Sequence, residues 1–218
     1  MPDKFIDAIK HRIQEYPLGY AFHVADFTDL ADYDTVKQSL ARLERNGKIR
    51  RVLRGIYDKP AYSELLQEEA APAPLQIADA LARRYNWAIS LSGEAALNLL
   101  GLSTQVPASW TFISSGPYKT YEVGKLRLEF QHRSDKQLYG MSHKTVLIVQ
   151  AMKAIGRKNL NQDVMLSFKH QLSDKDKKVL LHEGKVAPHW IYAGIKEICT
   201  VSFEFLIIIF NFSSLDSA

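Results

Sequence analysis

The amino-acid sequence predicts a protein of the α+β class. Residues 34–46 place Val36, Leu40 and Leu43 at i, i+4 and i+7, which is the spacing of one buried helix stripe. Residues 126–131 instead alternate apolar and polar side chains, which is the period of a half-exposed strand. The 218 residues are 46% hydrophobic and 24% charged, an ordinary composition for a globular protein. One large domain or two small ones are therefore expected.

The first elements of the chain are predicted to be helical. Residues 3–16 form an amphipathic pattern with Phe5, Ile9 and Ile13 on one side, and Pro17-Leu18-Gly19 ends it. A short amphipathic helix at 23–27 follows, and the chain breaks again near residues 31–33. These two segments supply the packing partners of the next helix.

A longer helix and a hairpin complete the N-terminal unit. Asp34 is the expected N-cap, and the helix runs to Asn46, where Gly47 is expected at the position that ends it. Short strands at 49–53 and 56–59 are predicted to turn at Arg54-Gly55. This order of elements is typical of a winged helix-turn-helix over residues 1–64, with the hairpin as the wing.

Basic side chains concentrate on that helix and hairpin. Between Lys37 and Lys59 there are eight Lys or Arg and two acidic residues, whereas the whole chain has a net charge of +4. Such a surface is typical of a nucleic-acid binder. The alternative is the solvated face of a small protein-binding domain. We predict that DNA is contacted by Thr35, Lys37, Gln38, Arg42, Arg45, Lys48, Arg50, Arg51 and Arg54, which include side chains suited to base edges and phosphates.

The composition changes after the hairpin. Residues 65–74 are acidic and then rich in Ala and Pro, so we predict a linker there. Residues 75–200 are predicted to form a C-terminal mixed α/β domain, with helices at 75–85, 143–155, 161–171, 174–182 and 188–198 and strands at 110–114 and 121–132. Residues 201–218 form an atypical apolar tail.

Three segments carry a family resemblance. They are RGIYDKP at the end of the hairpin, SGEAALNLLGLSTQVP at 92–107 and TFISSG at 111–116. With these segments, residues 1–198 resemble the AbiEi-type antitoxins, the regulator half of bacterial toxin–antitoxin and abortive-infection systems that defend against phage. The resemblance implies a winged helix that binds the promoter of its own operon. It also implies a C-terminal domain that counteracts a cognate nucleotidyltransferase-type toxin.

An enzyme is the alternative function. Glu129 and Gln131 lie two apart on one predicted strand, as an E-x-Q pair does in some metal-dependent nucleases. Such a site also needs an upstream aspartate, and none occurs between Asp79 and Asp135. The seven histidines lack zinc-ligand spacing, and no phosphate-binding loop motif occurs. We therefore predict no catalytic residue, no metal site and no cofactor, with a nuclease-like enzyme steered by the winged helix as the alternative.

The sequence also predicts a cytoplasmic location. Cys199 is the single cysteine, which excludes an internal disulfide and fits a reducing compartment. The N-terminus lacks the apolar region of a secretory signal. The apolar run at 203–212 is shorter than the roughly 20 residues that span a bilayer, so we expect no membrane partner.

Overall fold

The computed structural model of the protein describes residues 2–64, 67–134, 138 and 140–200. The apolar tail predicted at 201–218 lies outside these described residues. The chain divides into two compact units. The first unit comprises Met1–Ile89 and Ala108–Leu138, and the second comprises Ser90–Pro107 and Tyr139–Ala218. The mixed α+β class is confirmed.

The first unit begins with helix α1 at Pro2–Glu15, strand β1 at Ala21–His23 and a 3-10 helix at Val24–Phe27. Helix α2 covers Tyr33–Arg45 and is followed by strands β2, Arg50–Leu53, and β3, Ile56–Asp58. The three strands form an antiparallel sheet in the order β1-β3-β2. The stripe predicted on α2 is buried, and it packs in one core with Ile6, Ile9, Ile13, Phe22, Phe27 and Tyr57.

Two details of this region differ from the prediction. The N-cap of α2 is Asp32 rather than Asp34, because the Asp32 carboxylate accepts a hydrogen bond from the backbone N–H of Thr35 at 3.0 Å. Asp34 lies in the first turn instead. The segment predicted as a helix at 23–27 is the last residue of β1 followed by one 3-10 turn, since His23 pairs with Ile56.

The predicted linker at 65–74 contains secondary structure. Strand β5, Glu68–Glu69, lies within it and pairs antiparallel with β4, Tyr62–Ser63, and helix α3 begins at Pro74 and ends at Tyr85. Helix α3 packs on β1 and β3, and Arg83 donates to the carbonyl of Ala21 at 2.8 Å and to Asp26 at 3.2 Å. The compact unit therefore continues past 65–74, unlike the predicted domain division.

A four-stranded sheet has the order β6-β7-β9-β8. Its strands are β6, Ile89–Leu91, β7, Trp110–Ser114, β8, Lys119–Val123, and β9, Leu126–His132. Strands β7 and β9 are parallel, and β8 pairs antiparallel with β9. The prediction grouped these strands with the later helices in a domain at 75–200, whereas β7, β8 and β9 belong to the first unit.

The second unit is built from helices α4, Gly93–Leu99, α5, His143–Ile155, α6, Gln162–His170, α7, Asp174–Glu183, and α8, His189–Cys199. Ser142 caps α5, because its side chain accepts a hydrogen bond from the backbone N–H of Thr145. Glu183 accepts hydrogen bonds from the N–H and hydroxyl of Ser142, each at 2.8 Å, which ties α7 to the start of α5. Within the described residues, no helix is long and apolar enough to cross a membrane.

Candidate nucleic-acid interface

Helix α2 is held firmly at both ends. At its start Asp32 accepts from the Thr35 hydroxyl at 2.6 Å as well as from the Thr35 N–H, and these bonds lower the pKa of Asp32. At its end Gly47 adopts a φ of 64°, and the N–H groups of Gly47 and Lys48 donate back to Glu44 and Leu43 at 2.9 and 3.0 Å. These caps fix which side chains α2 presents outward.

The outward face of α2 carries three of the predicted DNA contacts. Gln38, Arg42 and Arg45 are exposed at i, i+4 and i+7, opposite the buried stripe. They border an open groove of about 490 Å³ between α1 and α2, which is lined by Phe5, Ile6, Thr35, Gln38, Ser39, Arg42 and Arg45. The structure therefore brings together an amide and two guanidinium groups, which can donate to base edges or phosphates. Thr35 is half-buried, and its hydroxyl donates to the N-cap of the helix.

The β2–β3 hairpin presents a second group of cations. It turns at Arg54-Gly55 as its sequence predicts, with Gly55 at a φ of 75°. The side chains of Lys48, Arg51 and Arg54 are exposed, as is Lys37 on α2. Among the described residues these four cations have no carboxylate within ion-pair distance. They are therefore available to phosphates.

Arg50 was predicted to contact DNA, but its side chain forms hydrogen bonds within the protein instead. The guanidinium donates to both carboxylate oxygens of Asp58, at 3.0 and 2.6 Å, and to the carbonyl of Ala70 at 2.9 Å. Asp58 is fully buried, and the hydrogen bonds to it raise the pKa of Arg50. Arg50 therefore anchors β2 to β3 and does not belong with the exposed cations.

Lys59, which contributes to the local charge excess, is also used internally. Its ammonium group donates to the carbonyls of Gln14 and Tyr16 at 2.7 and 2.8 Å, at the end of α1. The positive charge of Lys59 therefore lies at the C-terminal end of α1, where the helix dipole favours a cation. The exposed cationic surface therefore reduces to Lys37, Arg42, Arg45, Lys48, Arg51 and Arg54.

One residue beside the hairpin was not predicted from the sequence. Arg84, in the last turn of α3, donates through Nη1 to the carbonyl oxygen of Arg54. Its guanidinium lies so close to Gly55 that a Cβ atom there would be 2.7 Å from Nη1. The sequence signal was the pair Arg83-Arg84 at the end of a helix, which by itself indicates only a favourable interaction with the helix dipole.

The model of a family of unknown function, DUF6088, matches residues 8–180 of the chain. The chain belongs to the DUF6088 family. No curated protein matches it. Among solved structures, the crystal structure of the RV2827C protein from Mycobacterium tuberculosis is similar at a TM-score of 0.42 and 14% sequence identity, covering 90% of this chain and 76% of that one.

The residues considered for nuclease chemistry in this DUF6088 member have other partners. Glu129 pairs with Arg127 on the same strand at 2.7 Å, and the side-chain oxygen of Gln131 accepts from Arg133 at 3.1 Å. Within the described ranges, His, Cys, Asp and Glu side chains form no group of three that could hold a metal ion.

Proposed function

We propose that this protein binds double-stranded DNA through a winged helix formed by residues 2–64. In this proposal α2 is the recognition helix and the β2–β3 hairpin is the wing. The observation that carries it is that the outward face of α2 and the hairpin turn both belong to one compact unit and both carry exposed cations. The buried stripe of α2 and its two caps support this by leaving Gln38, Arg42 and Arg45 directed away from the core.

The chemistry of the two groups suggests separate tasks. Gln38 and Arg42 have the side chains that make paired hydrogen bonds to adenine and guanine in the major groove, so they are proposed to read sequence. Lys37, Lys48, Arg51 and Arg54 are proposed to neutralise phosphates, which gives affinity and orientation without base discrimination. Arg45 lies at the end of α2, where its Nε already donates to the carbonyl of Ala41 at 3.3 Å, and it is assigned to the DNA backbone.

The family resemblance extends the proposal to a biological role. The resemblance of residues 1–198 to AbiEi-type antitoxins suggests that the bound DNA is the promoter of the protein's own operon. It also suggests that the protein counteracts a cognate nucleotidyltransferase-type toxin. The toxin-facing role is assigned to the chain after residue 75. This second role is supported by the resemblance alone, so it needs its own experiment.

The DNA-binding proposal is tested by titrating the full chain against a labelled duplex from its own promoter and against a scrambled duplex. The five proposed phosphate contacts, from Lys37, Arg45, Lys48, Arg51 and Arg54, predict a slope of about −4.5 in a plot of log affinity against log salt concentration. The promoter duplex should bind more tightly than the scrambled duplex at every salt concentration. Equal affinity for both duplexes, with no dependence on salt, would contradict the proposal.

The antitoxin role is tested by co-expressing the chain with the nucleotidyltransferase encoded beside it. The full chain should restore growth, and a variant with Arg42, Arg45, Arg51 and Arg54 changed to Ala should restore growth while failing to repress the promoter. A wild-type chain that represses the promoter but leaves growth arrested would remove the antitoxin role and leave the DNA-binding role intact.

A further inference from the structure

The turn of the β2–β3 hairpin, formed by Arg54 and Gly55 and here named the wing turn, is supported from α3. The carbonyl oxygen of Arg54 accepts a hydrogen bond from Arg84, and Gly55 leaves the space that the Arg84 guanidinium fills. Gly55 therefore meets two requirements, a positive φ and the close approach of Arg84. Strand β2 lies at the edge of the three-stranded sheet and pairs only with β3, so a fixed contact at the tip of the hairpin restricts the motion of the turn.

Arg84 is itself well anchored within the first unit. Its guanidinium lies over the ring of Tyr85 at 5.3 Å, and Tyr85 stacks on Trp87 with ring centroids 4.8 Å apart. Trp87 in turn packs against Phe130 of β9 at 5.6 Å. The neighbouring Arg83 binds Asp26 and the carbonyl of Ala21, so the last turn of α3 is attached both to the N-terminal sheet and to the larger sheet.

We infer that Arg84 is a positioning residue for DNA binding, which holds the wing turn in the conformation that presents the Arg54 side chain to a phosphate. This inference rests on the proposed function. Arg84 acts through the backbone of Arg54, because its hydrogen bond is to the carbonyl and leaves the Arg54 guanidinium exposed. Fixing the wing turn before binding reduces the conformational entropy that DNA binding would otherwise cost.

A double-mutant cycle on the full chain tests the inference. Arg84→Ala, Arg54→Ala and the double variant are titrated against the promoter duplex, with Arg127→Ala as the charge-matched control, since Arg127 pairs with Glu129 on β9 and is not among the proposed DNA contacts. Arg84→Ala should weaken binding by about two- to tenfold. The double variant should bind within about twofold of Arg54→Ala, because the two residues act as one unit. Arg127→Ala should keep wild-type affinity.

If the fold-loss of affinity in the double variant equals the product of the two single-variant losses, Arg84 contacts DNA independently of Arg54. That result would overturn the inference. Unchanged affinity in Arg84→Ala would also overturn it. Both results leave the proposed function standing as long as the promoter duplex still binds in a salt-dependent way. Loss of that salt dependence in the wild-type chain is the separate result that removes the proposed function.

Amide hydrogen exchange without DNA supplies a second readout. In Arg84→Ala the amides from Arg54 to Ile56 should exchange roughly tenfold faster, while the core amides of α2 and the melting temperature stay close to wild type. Faster exchange across the whole first unit would indicate only a general loss of stability, and unchanged exchange at the wing turn would show that Arg84 does not hold it. Either result would overturn the inference.

Discussion

Arg50 and Asp58 face each other on β2 and β3, and the guanidinium donates to both oxygens of the buried carboxylate. This pair separates the basic residues of the hairpin into two kinds. Arg50 links β2 to β3 through the buried Asp58 carboxylate, whereas the side chain of Arg51, the next residue, is exposed. A count of charges in the sequence treats the two arginines as equivalent. In the structure only Arg51 has a side chain exposed for binding, because Arg50 is paired with Asp58.

Arg50→Ala should therefore destabilise the first unit. The substitution leaves the Asp58 carboxylate buried without its partner, which costs about 3 kcal/mol of unfolding free energy. Denaturant unfolding of Arg50→Ala and Arg51→Ala side by side measures the difference. Arg51→Ala should unfold as the wild type does, and equal stability of the two variants would show that the Arg50–Asp58 pair has no structural role.

Arg51→Ala should change DNA binding in a way that does not depend on sequence. Removing one phosphate contact lowers the magnitude of the salt slope by about 0.9 and weakens binding to the promoter and scrambled duplexes by the same factor. Salt titration of both duplexes provides the measurement, with Arg127→Ala as the control for lost charge. A loss confined to the promoter duplex would instead assign Arg51 to a base.

Arg42→Ala should relax preference at one or two base pairs. A paired hydrogen bond from its guanidinium to guanine contributes about 1–3 kcal/mol of discrimination against other bases. Affinities for a set of promoter duplexes, each with one base pair changed, should therefore converge at the contacted position in the variant. If every duplex weakens equally and the preferences persist, Arg42 binds the phosphate backbone.

Stability of the first unit should fall as the solution becomes mildly acidic because of His23. Its Nδ1 accepts a hydrogen bond from the N–H of Ala25 at 3.2 Å, so this nitrogen carries no proton in the fold. Burial lowers the pKa of His23 below 6.5, outweighing the opposing charge of Asp26. Below about pH 6.5 the unfolded chain thus binds a proton that the folded chain does not, and stability decreases toward the folded pKa.

His23→Asn supplies the comparison, because Asn accepts the same kind of hydrogen bond without titrating. Between about pH 7.5 and pH 5.5 the melting temperature of the wild type should fall more than that of His23→Asn. Parallel curves for the two proteins would show that His23 does not carry this pH dependence.

The sequence predicted what depends on local periodicity. The stripe of Val36, Leu40 and Leu43 is buried because residues three and four apart share a helix face, and the Arg54-Gly55 turn forms because glycine readily takes a positive φ. The N-cap of α2 was predicted two residues too late, at Asp34 instead of Asp32. Both positions are aspartates, and the local sequence pattern does not decide between them.

Contacts between distant residues could not be predicted in the same way. The Arg50–Asp58 pair depends on strand register, which a bulge between Arg51 and Leu53 shifts by one residue. The attachment of α3 to the N-terminal unit depends on Arg83 and Asp26, which lie 57 residues apart. Arg84 reaches the wing turn across 30 residues. Hydrophobic periodicity indicates which residues share a face of one element, and it does not predict contacts between residues of different elements.

The most direct test of DNA binding through α2 and the hairpin changes Arg42, Arg45, Arg51 and Arg54 to Ala together. A matched control changes four exposed cations of the second unit, Arg157, Lys158, Lys178 and Lys185. Both variants must melt as the wild type does, and both are titrated with the promoter duplex over a range of salt concentrations. The first should lose about 100-fold in affinity and, with three phosphate contacts removed, about 2.7 units of salt slope, and the control should keep both. A folded quadruple variant that binds the promoter as tightly as the wild type would contradict DNA binding through this surface.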